Sequence, residues 1–215
     1  TAVAARPALA GGLIRAGPEG SGRRGAATLG VRASGELDGG SALAEAGIEL
    51  RLLTGFEVDL SVAVARDMSE LRDLAIEGTD GAIVLEMAYD GWPPFLQETL
   101  FRLATSGLRP VLAHPERNDQ VQADPAVLES CLKTGAVAQA TVASLTGEFG
   151  RGPERAFRKL LSMGYVGLLA SDAHAYRTDG WTLAPVLESL RGTVDDQSLS
   201  VLVDENPRRL LTGQG

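Results

Sequence analysis

The sequence predicts a single α/β domain built on a parallel sheet, and three observations carry that prediction. From about Leu43 onward, short apolar runs alternate with amphipathic stretches, the pattern of repeated β-α units. Two of the runs, Pro110-Val111-Leu112-Ala113 and Gly167-Leu168-Leu169-Ala170, read as buried strands that end by presenting polar groups. The length of 215 residues suits one domain with a substantial core and would cramp a second.

The candidate strands, in order, are residues 48–54, 81–86, 110–113, 136–140 and 166–170. Helices with recognisable ends lie between them. Residues 94–106 place Leu96, Leu100 and Leu103 on one stripe, with Gly107 as the stop. Asp124 can cap a helix with Pro125 in its first turn, Val127, Leu128, Cys131 and Leu132 on one face and Gly135 as its end. Pro153 is expected to open another, with Phe157, Leu160 and Leu161 inward and Gly164 ending it. Asn206-Pro207 reads as the cap and first turn of a closing helix through Leu210 and Leu211.

Residues 1–40 differ from the rest: rich in Ala, Gly and Arg, without histidine and without a clear strand period, they read as a low-complexity segment that is flexible rather than packed. Residues 41–215 are then the folded domain. The glycine clusters of the first segment match no phosphate-loop fingerprint, because no Gly-Lys-Ser/Thr follows them.

Composition narrows the function. With 28 acidic against 20 basic residues and a net charge of −8, the chain is a poor nonspecific binder of nucleic acid or anionic membrane. A phosphorylated substrate stays compatible if metal ions and one or two arginines supply local positive charge. No run approaches the roughly 20 apolar residues that span a bilayer. The N-terminus lacks a signal-peptide core, and Cys131, alone in the sequence, cannot form an internal disulfide; both point to the cytoplasm.

The chemistry gathers at strand ends. His114 follows the run ending at Ala113, and Asp172 and His174 follow the run ending at Ala170. Glu57 follows Leu52-Leu53-Thr54-Gly55-Phe56, and Glu86 closes Ala82-Ile83-Val84-Leu85. In a parallel barrel these ends converge on one mouth. Each of these histidines alone could be a hydrogen-bonded structural residue, and each glutamate a solvated boundary residue. Taken together, two imidazoles and three carboxylates fit Mn²⁺, Fe²⁺ or Zn²⁺ in a cluster of two or three ions, where a bridging hydroxide can attack a phosphoester.

The motifs His114-Pro115-Glu116-Arg117-Asn118, Ser171-Asp172-Ala173-His174, Gly55-Phe56-Glu57 and Glu205-Asn206-Pro207, together with the loop from Val142 to Gly150, resemble one family. It is the CpsB/CapC group of bacterial tyrosine phosphatases within the polymerase-and-histidinol-phosphatase (PHP) superfamily, associated with capsule and exopolysaccharide regulation. The resemblance implies a distorted (β/α)7 barrel that binds up to three metal ions, usually Mn²⁺. Its expected substrate is phosphotyrosine on a protein, commonly a bacterial tyrosine kinase of the same polysaccharide pathway.

By motif, the resemblance makes Glu57 a metal-bridging carboxylate and His114 a ligand of a second ion. It makes Asp172 a ligand of the first ion, and Glu86 with His174 ligands of a third. Arg117 would hold the substrate phosphate or stabilise charge on its oxygens; the alternative for this residue is a surface ion pair with Glu116 or Asp119. The family's second phosphate-binding arginine aligns with Asp179, two residues after Arg177.

Members of the family also begin with a strand carrying Asp-x-His-x-His, and no histidine precedes His114 here. The barrel is therefore expected to be incomplete at its N-terminus, with residues 1–40 an aberrant segment and metal binding reduced. Two other readings stand beside tyrosine dephosphorylation: hydrolysis of a small phosphomonoester such as histidinol phosphate, and an inactive or regulatory remnant of the fold. A cysteine-dependent phosphatase is disfavoured, because the residue six after Cys131 is Val137 rather than arginine.

Overall fold

The computed structural model describes residues 28–31, 52–172, 184–192 and 194–213. The seven strands among them all run parallel. β1 (Thr28–Val31) pairs with β2 (Leu52–Gly55). One residue further on, β3 (Glu57–Asp59) starts a five-stranded sheet that continues through β4 (Ala82–Glu86), β5 (Arg109–Ala113), β6 (Val137–Thr141) and β7 (Val166–Ala170) in sequence order. A doubly wound sheet reverses its strand order at a switch point; an order that never reverses is that of a β/α barrel wall.

The strands are apolar at successive positions because both of their faces are covered. Ile83, Leu85, Leu112, Ala138, Ala140, Val166 and Leu169 belong to an outer core shared with the helices. Ala82, Val84, Val111, Ala113 and Leu168 belong to a second, inner core with Leu53, Ile76 and Leu210. The alternation of side chains divides β4, β5 and β7 between the two cores.

The connections supply the outer layer. After β3 come α1 (Leu60–Ala65), capped by Asp59, and α2 (Met68–Asp73), opened by an Asp67/Glu70 capping box. α3 (Leu96–Thr105) buries Leu96, Leu100 and Leu103 as its stripe predicts. A 3₁₀ turn (Pro115–Arg117) and α4 (Asp119–Ala123) follow β5. Next, a 3₁₀ turn (Pro125–Leu128) capped by Asp124 runs into α5 (Glu129–Leu132), which buries Cys131 in the outer core. α6 (Val142–Leu145) follows β6 directly, and α7 (Arg151–Ser162) buries Ala156, Phe157 and Leu160. α8 (Ala184–Leu190), α9 (Asp196–Ser200), a π-helical turn (Val201–Glu205) and α10 (Asn206–Thr212) complete the chain.

Four expectations change. β1 lies within the first forty residues, where the sequence showed no strand period. Glu57 follows β2 and Phe56 as expected, but it also begins β3, because the break at Phe56 is a single residue and pairing resumes at Glu57↔Val84. α7 begins two residues before Pro153, which tolerates a place in the first turn because its missing N–H has no helical partner there. Asn206 begins α10 with Pro207 in its first turn, as expected, but it is not a cap, since the π turn carries the helix into α10 without a break. Asn206 instead donates from Nδ2 to the carbonyl of Gly167, 2.9 Å away.

Gly167 is the extra residue of a β-bulge: Ala138 pairs with Val166, but Gln139 pairs with Leu168. A Cβ at Gly167 would lie 2.6 Å from Cγ1 of Val137, so only glycine fits without a shift. The bulge resets which face each later residue of β7 presents, and β7 leads directly to Ser171 and Asp172.

Candidate metal centre

His114 is the first residue past β5, and its backbone is left-handed, at φ 33° and ψ 52°. Asp172, two residues past β7, is also left-handed at φ 49°, and among the described residues these two alone do so without being glycine. Such a conformation costs about 1–3 kcal/mol per residue, and Pro115 restricts its predecessor further. Both strained residues are among the five that the sequence places at the mouth. The His114 N–H donates to the Gln139 carbonyl of the neighbouring strand, 2.7 Å away, which holds the turn in place.

The turn aims the His114 ring at two carboxylates. Its Nε2 lies 2.9 Å from Oε1 of Glu57 and 3.7 Å from Oε1 of Glu86. The ring and the Glu57 carboxylate are almost wholly buried, at 4% and 7% exposure, while Glu86 is 31% exposed and faces the opening. Burial pulls the imidazole pKa down, but the hydrogen bond and charge of Glu57, then the charges of Asp172 and Glu116, outweigh it and the net shift is upward. The field at Nε2 therefore favours a positive charge.

That donor set suits a divalent cation. One oxygen each from Glu57 and Glu86 and one ring nitrogen of His114 lie within 4.8 Å of one another, and the mixture of imidazole and carboxylate fits Mn²⁺, Fe²⁺ or Zn²⁺. Asp172 stands at the edge of this group. It is felt by His114 as a charge, and its Oδ2 is 3.7 Å from Nη1 of Arg117. His174, Arg177 and Asp179 lie outside the described residues.

Arg117 does not form the surface pair with Glu116 or Asp119 that the sequence left open. Glu116 is fully buried and points away: its Oε1 accepts from the Thr141 N–H at 2.9 Å and the Ser144 hydroxyl at 2.7 Å. Burial pushes the Glu116 carboxyl pKa up, against the pull of those two bonds. Asp119 accepts from the Gly91 N–H. The Arg117 guanidinium is stacked between two rings, with its carbon 4.3 Å from the Tyr89 centroid and 4.2 Å from that of Phe149.

Tyr89 also donates its hydroxyl to Oε1 of Glu86 at 2.9 Å and packs its ring 5.8 Å from that of His114. Neither aromatic was singled out from sequence. Phe149 sits in the Val142 to Gly150 loop, whose sequence resembles the family's, whereas Tyr89 lies in a stretch without any motif.

Asn118 fastens the mouth. Its Nδ2 donates to the carbonyls of Ala88 and Gly91, and its Oδ1 accepts from the N–H groups of Gln120 and Val121. All four of its hydrogen-bonding positions are filled inside the protein.

Glu57, Glu86 and His114, with Arg117 beside Asp172, make a candidate divalent-cation site on a parallel sheet of the β/α barrel type. The sequence profile of the capsular polysaccharide synthesis family CpsB/CapC matches residues 34–212, and the chain belongs to that family. Over 167 residues it is 29% identical to the tyrosine-protein phosphatase YwqE of Bacillus subtilis, covering 78% of this chain and 65% of YwqE. The match thus spans just under two thirds of that relative's length.

The structure superimposes with a TM-score of 0.70 and 28% identity on a crystal structure reported with YwqE from Bacillus subtilis and CpsB from Streptococcus pneumoniae, described as metal-dependent tyrosine phosphatases. That match covers 80% of this chain and 69% of the other. A phosphotriesterase homology protein from Escherichia coli shares the fold at a TM-score of 0.50 and 14% identity, over 87% of this chain and 84% of the other. No helix among the described residues is long and apolar enough to cross a membrane.

Proposed function

We propose that this chain is a Mn²⁺-dependent protein-tyrosine phosphatase acting in the control of capsule or exopolysaccharide synthesis. The observation that carries the reading is the convergence of Glu57, Glu86 and His114 at the mouth that also holds Arg117. Family membership and the likeness to metal-dependent tyrosine phosphatases support it.

In this reading Glu57, Glu86 and His114 hold the cation, and Asp172 and His174 extend the ligand set from the end of β7. A bound divalent ion supplies Lewis acidity to a phosphoryl oxygen and lowers the pKa of water beside it. Glu57 and His114, being buried, set the cation's position from the closed side of the mouth. Glu86, partly exposed, closes the set on the substrate side. Arg117 offers its planar donors to the phosphate oxygens as their charge grows. Residues 41–215 carry this function, the substrate is a phosphotyrosine protein such as a bacterial tyrosine kinase, and the compartment is the cytoplasm.

Hydrolysis of a phosphotyrosine peptide by the Mn²⁺-loaded chain tests the reading, with histidinol phosphate as the competing substrate. The peptide is expected to be preferred, and Arg117→Ala or His114→Ala to lower turnover by at least about 100-fold. Preference for histidinol phosphate, or full activity in either variant, contradicts the assignment.

A further inference from the structure

We propose that Tyr89 and Phe149 are positioning residues: they clamp the two faces of Arg117 so that its donors meet a phosphate edge-on, and the Tyr89 hydroxyl couples that clamp to Glu86. The inference rests on the phosphatase reading for the identity of the anion.

A guanidinium has its N–H donors in one plane and none on its faces. The guanidinium carbon lies over the Tyr89 ring at 4.3 Å and over the Phe149 ring at 4.2 Å, separations short enough for each ring to rest on a face of the head group. Each contact also attracts the cation through the ring's quadrupole. Rotation of the head group out of its plane would forfeit both contacts, so the plane is fixed before a ligand arrives. A fixed plane turns a flexible charged chain into a fork that matches two phosphate oxygens. Nη1 stands 3.7 Å from Oδ2 of Asp172, beyond hydrogen-bond distance, so this pair orients the charge without occupying that donor.

Each jaw is held by a residue beside Arg117 in the sequence. Asn118 binds the carbonyls of Ala88 and Gly91 on either side of Tyr89, and the Asp119 N–H binds the carbonyl of Tyr89 itself. Glu116 binds the hydroxyl of Ser144, at the start of the turn that carries Phe149. The segment from Glu116 to Asp119 thus places the arginine and both of its jaws. Tyr89 does a second task with its other end, since its hydroxyl occupies Oε1 of Glu86 at 2.9 Å, the same oxygen that lies 3.7 Å from Nε2 of His114.

Calorimetric titration with inorganic phosphate and, separately, with Mn²⁺ reads the two tasks apart. Phe149→Leu should weaken phosphate binding about tenfold, the scale of one lost cation–π face, and leave Mn²⁺ affinity unchanged; Phe149→Tyr should restore phosphate binding. Tyr89→Phe keeps the ring and loses the hydroxyl, so it should weaken Mn²⁺ a few-fold and phosphate less than twofold. Tyr89→Leu should weaken both. In hydrolysis assays the phosphate inhibition constant of Phe149→Leu should rise in parallel with its phosphate dissociation constant.

Wild-type phosphate affinity in Phe149→Leu, or a wild-type chain that binds no phosphate, overturns the clamp. Unchanged Mn²⁺ affinity in Tyr89→Phe overturns the coupling to Glu86. A chain that shows all of these binding changes but hydrolyses no phosphotyrosine contradicts the phosphatase reading and leaves the clamp standing.

Discussion

After β5 the chain turns through His114, Pro115, Glu116 and Asn118, all of them buried, whereas after β4 it passes through residues 88–91, all of them exposed. Both corners face the same mouth. The first is held by bonds to three parts of the fold: β6 through Gln139 and Thr141, α6 through Ser144, and the β4 corner through Ala88 and Gly91. The second receives its order from the first. One rigid corner can therefore build an open half-site without burying it, so that the ligands facing a substrate stay solvated while their positions are set from behind.

This asymmetry predicts unequal costs of substitution. Asn118→Ala removes four hydrogen bonds and should have the largest effect, about 3–4 kcal/mol in denaturant unfolding, with the loop of residues 88–91 losing protection from hydrogen exchange. A loss below about 1 kcal/mol would show that the β4 corner holds itself. Glu116→Ala leaves the Thr141 N–H and Ser144 hydroxyl buried without their acceptor and should cost about 2–3 kcal/mol. Glu116→Gln keeps an acceptor oxygen in place and should recover most of that loss; a glutamine as damaging as alanine would mean that the charge, rather than the hydrogen bonding, matters at this position.

Glu86→Gln tests the open half of the site. It should weaken Mn²⁺ binding about tenfold, within the range for loss of one supporting group at a metal site, with little change in melting temperature. Asp90→Ala in the exposed corner should change stability by less than about 0.5 kcal/mol. An effect matching that of Glu116→Ala would erase the contrast between the two corners.

The sequence disclosed the site in proportion to how its residues are patterned. β4, β5, β6 and β7 were legible because strands covered on both faces read as apolar runs. β3 was not, because its three residues alternate Glu57, Val58 and Asp59, and only Val58 is buried. The convergence of Glu57, Glu86 and His114 could be foreseen from the ends of such runs, but the way Glu57 arrives, inside a resumed strand, could not. A surface pair of Glu116 with Arg117 stays open as an alternative in the sequence, since carboxylates are seldom fully buried; only the fold buries Glu116 and brings Thr141 and Ser144 to it. Tyr89 and Phe149 lie 60 positions apart on loops with no shared period, so their meeting across Arg117 is a tertiary fact. The π turn before Asn206 likewise has no signal in sequence, where Asn-Pro reads as a beginning.

The central claim is that Glu57, Glu86 and His114 form a cation site. It is tested most directly by titrating Mn²⁺ into the wild-type chain and into His114→Ala at pH 8. The neighbouring carboxylates raise the His114 pKa, so protons compete with the metal at lower pH and binding should strengthen as pH rises. The account predicts at least one ion bound per wild-type chain and a loss of affinity of about 100-fold or more in His114→Ala, with the far-ultraviolet circular dichroism unchanged. Equal Mn²⁺ affinity in the two proteins, or none in the wild type, would contradict it.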